Sequence, residues 1–128
     1  AAGIPLGHLE AWLGADRAIV RAMPNTPAQI GAGAAGLCAN ASVTATQREL
    51  AARLLGAVGV AVWLDDESLM DAVTALSGSG PAYVFLLLEL LTTAGAKLGL
   101  PAPLAAELAQ ATVEGAARLA RESGTAPG

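Results

Sequence analysis

Pro81 closes the run Ser77-Gly-Ser-Gly-Pro, and the chain changes character there. Short apolar runs broken by turn formers precede it, whereas Glu89 and Lys97 are the only charges from Pro81 to Leu98. Two glycines are conformationally costly inside a helix, and serine side chains compete for main-chain hydrogen bonds. A loop is therefore expected over Ser77–Gly80. Pro81 suits a first helical turn, where its missing N–H would lack a partner anyway, with Ser79 or Gly80 as the natural cap. N–H groups exposed at such a start, beside two hydroxyls and bare glycines, can be approached closely by an anion or a flat ring. A plain linker shares this composition.

The helix expected after Pro81 runs to Leu98 and is ended by Gly99 and Pro101. It is apolar around most of its circumference and needs cover on more than one side. Its length of ~27 Å raises the question of a bilayer. Glu89 near its middle, with Thr92, Thr93 and Gly95 close by, favours burial in a protein interface. A last helix is expected from Pro103 to Arg121, with Leu104, Leu108, Ala111, Gly115 and Leu119 along one side and Glu114 one turn from Arg118. Ala111 and Gly115 would let two helix axes approach closely. Of the 128 residues, 54% are hydrophobic, more than a monomer of this size should need, so a partner is expected. Seven Lys+Arg against eleven Asp+Glu, a net charge of −4, argue against a nucleic-acid surface. Cys38 is the single cysteine, which excludes an internal disulfide and is compatible with the cytoplasm. The first residues, with no basic leader or long apolar core, read as chain already in progress.

Before Ser77 the pattern is mixed. Residues 5 to 13 read as an amphipathic helix with Pro5 in its first turn, Gly14 at its end, and His8 and Glu10 facing water. Residues 17 to 23 read as a buried strand stopped by Pro24, which leaves the turn Pro24-Asn25-Thr26-Pro27 at a strand's C-terminal end, where open α/β sheets bind ligands. Gly31-Ala-Gly33-Ala-Ala-Gly36 spells a dinucleotide fingerprint, but prolines precede it and Leu37–Asn40 is too short and turn-bound for a phosphate-facing helix. It is better read as a small-residue approach to a strand, with Cys38 as a packed small hydrophobe. Thr44 and Gln47 form a capping box for a helix to Gly56, with Glu49 and Arg53 paired at i,i+4. Val60–Leu64 is a further strand of the same sheet. Asp65, Asp66 and Glu67 have no partner at metal-ligand spacing, and acids ahead of Leu69, Met70 and Val73 suit a helix start.

Three blocks, Met23-Pro-Asn-Thr-Pro27, Thr74-Ala-Leu-Ser-Gly-Ser-Gly-Pro-Ala-Tyr83 and Ala94-Gly-Ala-Lys-Leu-Gly-Leu-Pro101, resemble in sequence and order the pyrroline-5-carboxylate reductases, the last enzymes of proline synthesis. The resemblance covers nearly all of the chain. The family's N-terminal Gly-rich nucleotide motif and its C-terminal Thr-Ser-Pro-Gly-Gly-Thr type segment have no counterpart, so a middle fragment is expected. The resemblance implies an α/β Rossmann-like portion, residues 1–64, followed by an all-α dimerisation domain, residues 65–128. It implies an NAD(P)H-dependent reductase of a cyclic imine, a homodimer through residues 81–121 with higher assembly open, a small-molecule substrate, and neither nucleic acid nor membrane. Thr74, Ser77 and Ser79 would then lie beside nicotinamide and substrate, with Gly78 and Gly80 in the same wall. Asn25 and Thr26 would lie on the cofactor side, and Glu67 would match the family's acidic residue near cofactor and substrate. NADPH and NADH stay open alternatives. A non-catalytic helical oligomerisation fragment, unable to bind nucleotide alone, is the competing expectation.

Overall fold

Turn formers cut the first eighty residues into short elements, and the computed structural model, which describes residues 2–124, places a three-stranded sheet among them. The chain divides into two units, Ala1–Pro81 and Ala82–Gly128. The first unit therefore includes residues 65–81, which the sequence reading groups with the helices. It opens with α1 (Leu6–Leu13), preceded by Pro5 and stopped at Gly14, whose φ is 101°. Strand β1 (Val20–Met23) is shorter than the expected 17–23. Asn40 explains the difference, because its side chain accepts from the Ile19 N–H and donates to the Arg17 carbonyl, occupying the groups a longer strand would use. Asn40 also donates to Glu10 Oε1, so Glu10 is tied down rather than simply solvated.

Strand β2 (Gly33–Ala39) runs antiparallel to β1 and parallel to β3 (Gly59–Trp63), with β2 in the centre. The second half of the fingerprint-like run is therefore the strand itself, and Leu37–Ala39 continues it where a turn was expected. Between β2 and β3 lies α2 (Ala45–Gly56), started by the expected reciprocal Thr44–Gln47 capping box. Helix α2 supplies the crossover that a parallel pair requires. Leu6, Ile19, Cys38 and Met70 form the buried cluster beside the sheet, with Leu9, Met23 and Leu64 packed against it. Cys38 behaves as the packed hydrophobe expected, and burial pushes its thiol pKa up, with the Glu67 charge adding to the effect.

From Glu67 to Lys97 the backbone is helical apart from a bend at Ser79. It comprises a 3₁₀ turn (Glu67–Leu69), α3 (Met70–Val73), a π-helical turn (Thr74–Gly78) and α4 (Gly80–Lys97). The loop expected at Ser77–Gly80 is thus reduced to a bend at Ser79, whose φ −85° and ψ −19° keep the right-handed helical range. By length and composition alone this run could cross a membrane. In the second unit α5 (Ala102–Ser123) follows a turn at Gly99 and Pro101. Helices α4 and α5 approach closely at Gly95, where a Cβ would lie 3.1 Å from Ala105 Cβ; Gly115 has no neighbour within reach. Within the chain, close packing of these two helices therefore lies at Gly95. The expected i,i+4 pairs also differ. Among the described residues the ion pairs are Arg21–Glu67 and Arg118–Glu122, not Glu49–Arg53 or Glu114–Arg118.

Gly59 has φ 148°, and a Cβ there would collide with the Gly33 carbonyl across the β2–β3 pair. Gly56, the last residue of α2, faces open space. One substitution should therefore have opposite signs three residues apart. Gly59→Ala is expected to cost more than ~3 kcal/mol, and Gly56→Ala to stabilise by ~0.5–1 kcal/mol. Urea unfolding midpoints of the two variants check this.

Candidate functional site

Pro81 sets the local geometry of the Ser-Gly-Ser-Gly turn. In an α-helix its ring would press on the carbonyl four residues earlier, that of Ser77, and it brings no N–H for that carbonyl to accept. The chain responds by widening the preceding turn, with Ser79 N–H donating to the Thr74 carbonyl five residues back at 2.8 Å. Such single π turns recur at functional sites. The Ser77 carbonyl instead accepts from Asn25 Nδ2 at 3.1 Å, and the same amide lies 3.4 Å from Ser77 Oγ. Asn25 Oδ1 accepts the Ala34 N–H at 2.9 Å. A main-chain N–H can only donate and a carbonyl can only accept, so these partners settle the orientation of the Asn25 amide.

Other groups of the turn are placed by packing. Thr74 Oγ1 donates to the Met70 carbonyl at 2.9 Å. A Cβ at Gly78 would lie 2.7 Å from Met23 Cε, the flexible end of that side chain, so a larger residue there would push the Met23 tip aside. Thr74, Ser77, Gly78, Ser79 and Gly80 are all half-buried, and the space a Gly80 side chain would fill is open. Of the expected site residues, the fold brings Asn25 together with Ser77 on the widened turn. Thr26 is exposed, at the first position of a 3₁₀ turn (Thr26–Ile30).

Glu67 stands apart from that turn. Its Oε1 accepts from both Arg21 Nη1 and the Leu6 N–H, each at 2.7 Å. Arg21 is 5% exposed, and its Nε has no hydrogen-bond partner among the described residues. The pair lines an open cleft of about 500 Å³ together with Asp66, Ser68 and Asp71. Asp66 caps the 3₁₀ turn through the Ser68 N–H at 2.8 Å, and that bond holds its carboxyl pKa below the ordinary value. Ser77 and Ser79 do not line this cleft, nor the smaller one by Asn40, Arg48 and Asp65. Arg21 went unremarked in the sequence reading. The available signal was a single cation inside an otherwise apolar strand, which demands a counter-charge.

Residues 67–128 match the family described as pyrroline-5-carboxylate reductase dimerisation. The chain is 58% identical over 127 residues to the pyrroline-5-carboxylate reductase of Pseudomonas aeruginosa, covering 99% of this chain and 46% of that protein. It is 47% identical over 128 residues to the Arabidopsis thaliana enzyme, again covering 46% of it. Among solved structures, a pyrroline-5-carboxylate reductase from Coxiella burnetii superposes with a TM-score of 0.89 at 44% identity, over 98% of this chain and 50% of that one. The Plasmodium falciparum pyrroline carboxylate reductase with NADP bound has a TM-score of 0.89 at 36% identity, over 96% of this chain and 49% of that one. The chain thus spans about half the length of the relatives it matches.

The Arg21–Glu67 geometry predicts unequal single-variant costs. Glu67→Ala leaves a buried guanidinium without its counter-charge and should cost ~3–5 kcal/mol. Arg21→Met leaves a carboxylate that is already 29% exposed and should cost clearly less. Chemical denaturation of both variants tests the order, and equal costs would contradict it.

Proposed function

Because the chain belongs to the pyrroline-5-carboxylate reductase family, we propose that it is a working part of an NAD(P)H-dependent enzyme that reduces 1-pyrroline-5-carboxylate to L-proline in the cytoplasm. Residues 1–64 belong on this reading to the later part of the nucleotide-binding domain, and residues 65–128 to the helical dimerisation domain. The observation that carries the reading is the Thr74–Pro81 turn: hydroxyls and bare glycines on a rigid backbone, with open space beside Gly80, in a chain that follows the reductases along its whole length. A flat nicotinamide ring fits such a surface, since nothing projects from Gly80 to hold it off.

NADPH or NADH, when bound, would supply the hydride for the carbon of the substrate's C=N bond, the imine nitrogen arriving protonated and becoming the amine of proline. The chain's own part is position and electrostatics. Ser77 and Ser79 offer hydroxyls, Thr74 with its hydroxyl held to Met70 shapes the wall, and Gly78 and Gly80 keep it thin. Asn25 and Thr26 border the cofactor side, at the C-terminal end of β1. Glu67 contributes from its own cleft, where one oxygen is held by Arg21 and Leu6. NADP, bound in the Plasmodium falciparum relative, favours NADPH.

A second reading, a helical oligomerisation piece without nucleotide affinity of its own, is favoured by the exposed apolar side chains of α4, Tyr83 at 62% and Phe85 at 63% among them. Both readings predict a homodimer through residues 81–121. Titration of NADPH against the purified chain, followed by fluorescence or calorimetry, separates them: saturable binding supports the reductase reading, and its absence in this chain supports the second. Leu87→Glu should convert dimer to monomer or aggregate in sedimentation, because a charge on a desolvated face has no partner there. An unchanged dimer would contradict the interface.

A further inference from the structure

A helical path through Ser-Gly-Ser-Gly-Pro needs something other than intrinsic propensity to hold it. The α-helical donor for the Ser77 carbonyl would be the N–H of residue 81, and residue 81 is proline. One side chain outside the helix supplies a replacement. Asn25 Nδ2 donates to that carbonyl at 3.1 Å, while Asn25 Oδ1 is held by the Ala34 N–H at 2.9 Å. Both polar ends of the amide are therefore engaged inside the protein, and Asn25 is half-buried.

We propose that Asn25 is a positioning residue: it replaces the hydrogen bond that Pro81 cannot make and so keeps the Thr74–Gly78 turn in its widened, five-residue register. The bond that reports this register is Ser79 N–H to the Thr74 carbonyl, 2.8 Å. An α-register turn would rotate Ser77, Gly78 and Ser79 relative to the sheet, because each residue added to or removed from a helical turn turns the following side chains by ~100°. Asn25 thus acts on the proposed nicotinamide wall through Ser77 and not by touching the ring. This placement rests on the reductase reading for its functional meaning. The geometry of the turn does not.

The test is amide hydrogen exchange at Ser79 in the purified chain, with the Leu37 and Leu64 amides as reporters of the sheet. Asn25→Asp keeps the acceptor for Ala34 N–H and removes the donor to Ser77. At neutral pH, exchange at Ser79 should speed up by roughly tenfold, the equivalent of one lost hydrogen bond, with little change at Leu37 and Leu64. Protection at Ser79 should return as pH falls and the introduced carboxyl becomes protonated, since a carboxylic acid can donate again. Adding Pro81→Ala to Asn25→Asp should also restore helical protection of this segment, because a main-chain N–H then faces the Ser77 carbonyl. Unchanged Ser79 exchange in Asn25→Asp overturns the proposal. So does a parallel loss at Leu37 and Leu64, which would mark a general loosening of the fold. No ligand enters this experiment, so its failure leaves the reductase reading standing, and a failure of NADPH to bind leaves the exchange result standing.

Discussion

A proline inside a helical run removes a donor and crowds a carbonyl, and the first unit is arranged around how that is resolved at Pro81. Widening the turn makes room for the ring, and Asn25 provides the donor. The same amide fixes Ala34 at the start of β2. One side chain thereby joins the end of one strand, the start of the next and the helical turn. Pro24 and Pro27 flank it closely and restrict the backbone that carries it. Such a clamp is neutral, so burying it costs far less than burying an unpaired charge, and its two ends are directional.

Much of this was legible in the residues, and the failures have physical causes. Strands β1 and β3, the capping box, the Gly14 stop and the buried Cys38 follow from short-range rules that nothing in the fold opposes, whereas the central strand β2 was hidden in a run of glycine and alanine. Strand direction was available but unused. Only nine residues join Met23 to Gly33, too few for a crossover, whereas α2 gives the β2–β3 link the length that parallel pairing needs. The loop expected at Ser77–Gly80 came from propensity, a weak term that tertiary hydrogen bonds readily override. No local pattern announces that an asparagine fifty-two residues away completes the turn. The missing Glu49–Arg53 and Glu114–Arg118 pairs reflect how little an exposed ion pair contributes, too little to hold two long side chains in one place.

The second unit shows why the composition is so apolar. Among its described residues the buried side chains are Ala105 and Ala109, while Val84, Leu86, Leu87, Leu90 and Leu91 of α4 stay largely open. Two alanines cannot offset the ordering of two helices, which costs on the order of 1 kcal/mol or more per residue. Burial of large aliphatic and aromatic side chains contributes ~1.5–3 kcal/mol each. Cover from a second protein surface would supply what the unit lacks alone, in keeping with the dimerisation family that residues 67–128 match.

Strand β1 ties these observations together through its period of two. Residues 21, 23 and 25 project to one side of an extended chain, and each meets the same helical segment: Arg21 bonds Glu67, Met23 packs on Gly78, and Asn25 bonds Ser77. Between these anchors Met70 enters the buried cluster and Val73 lies against Gly36, where a Cβ would come within 2.9 Å of its methyl. The lengths agree. Four extended residues from Arg21 to Asn25 span ~13 Å, and ten helical residues from Glu67 to Ser77 rise ~15 Å. A helical segment held to a strand at both ends has little freedom to slide, and Gly78, with no side chain, leaves room for the tip of Met23. The helical segment is thus tied to the sheet by one ion pair at Glu67 and one amide at Ser77, while Ser79 is held within the widened turn by its bond to Thr74.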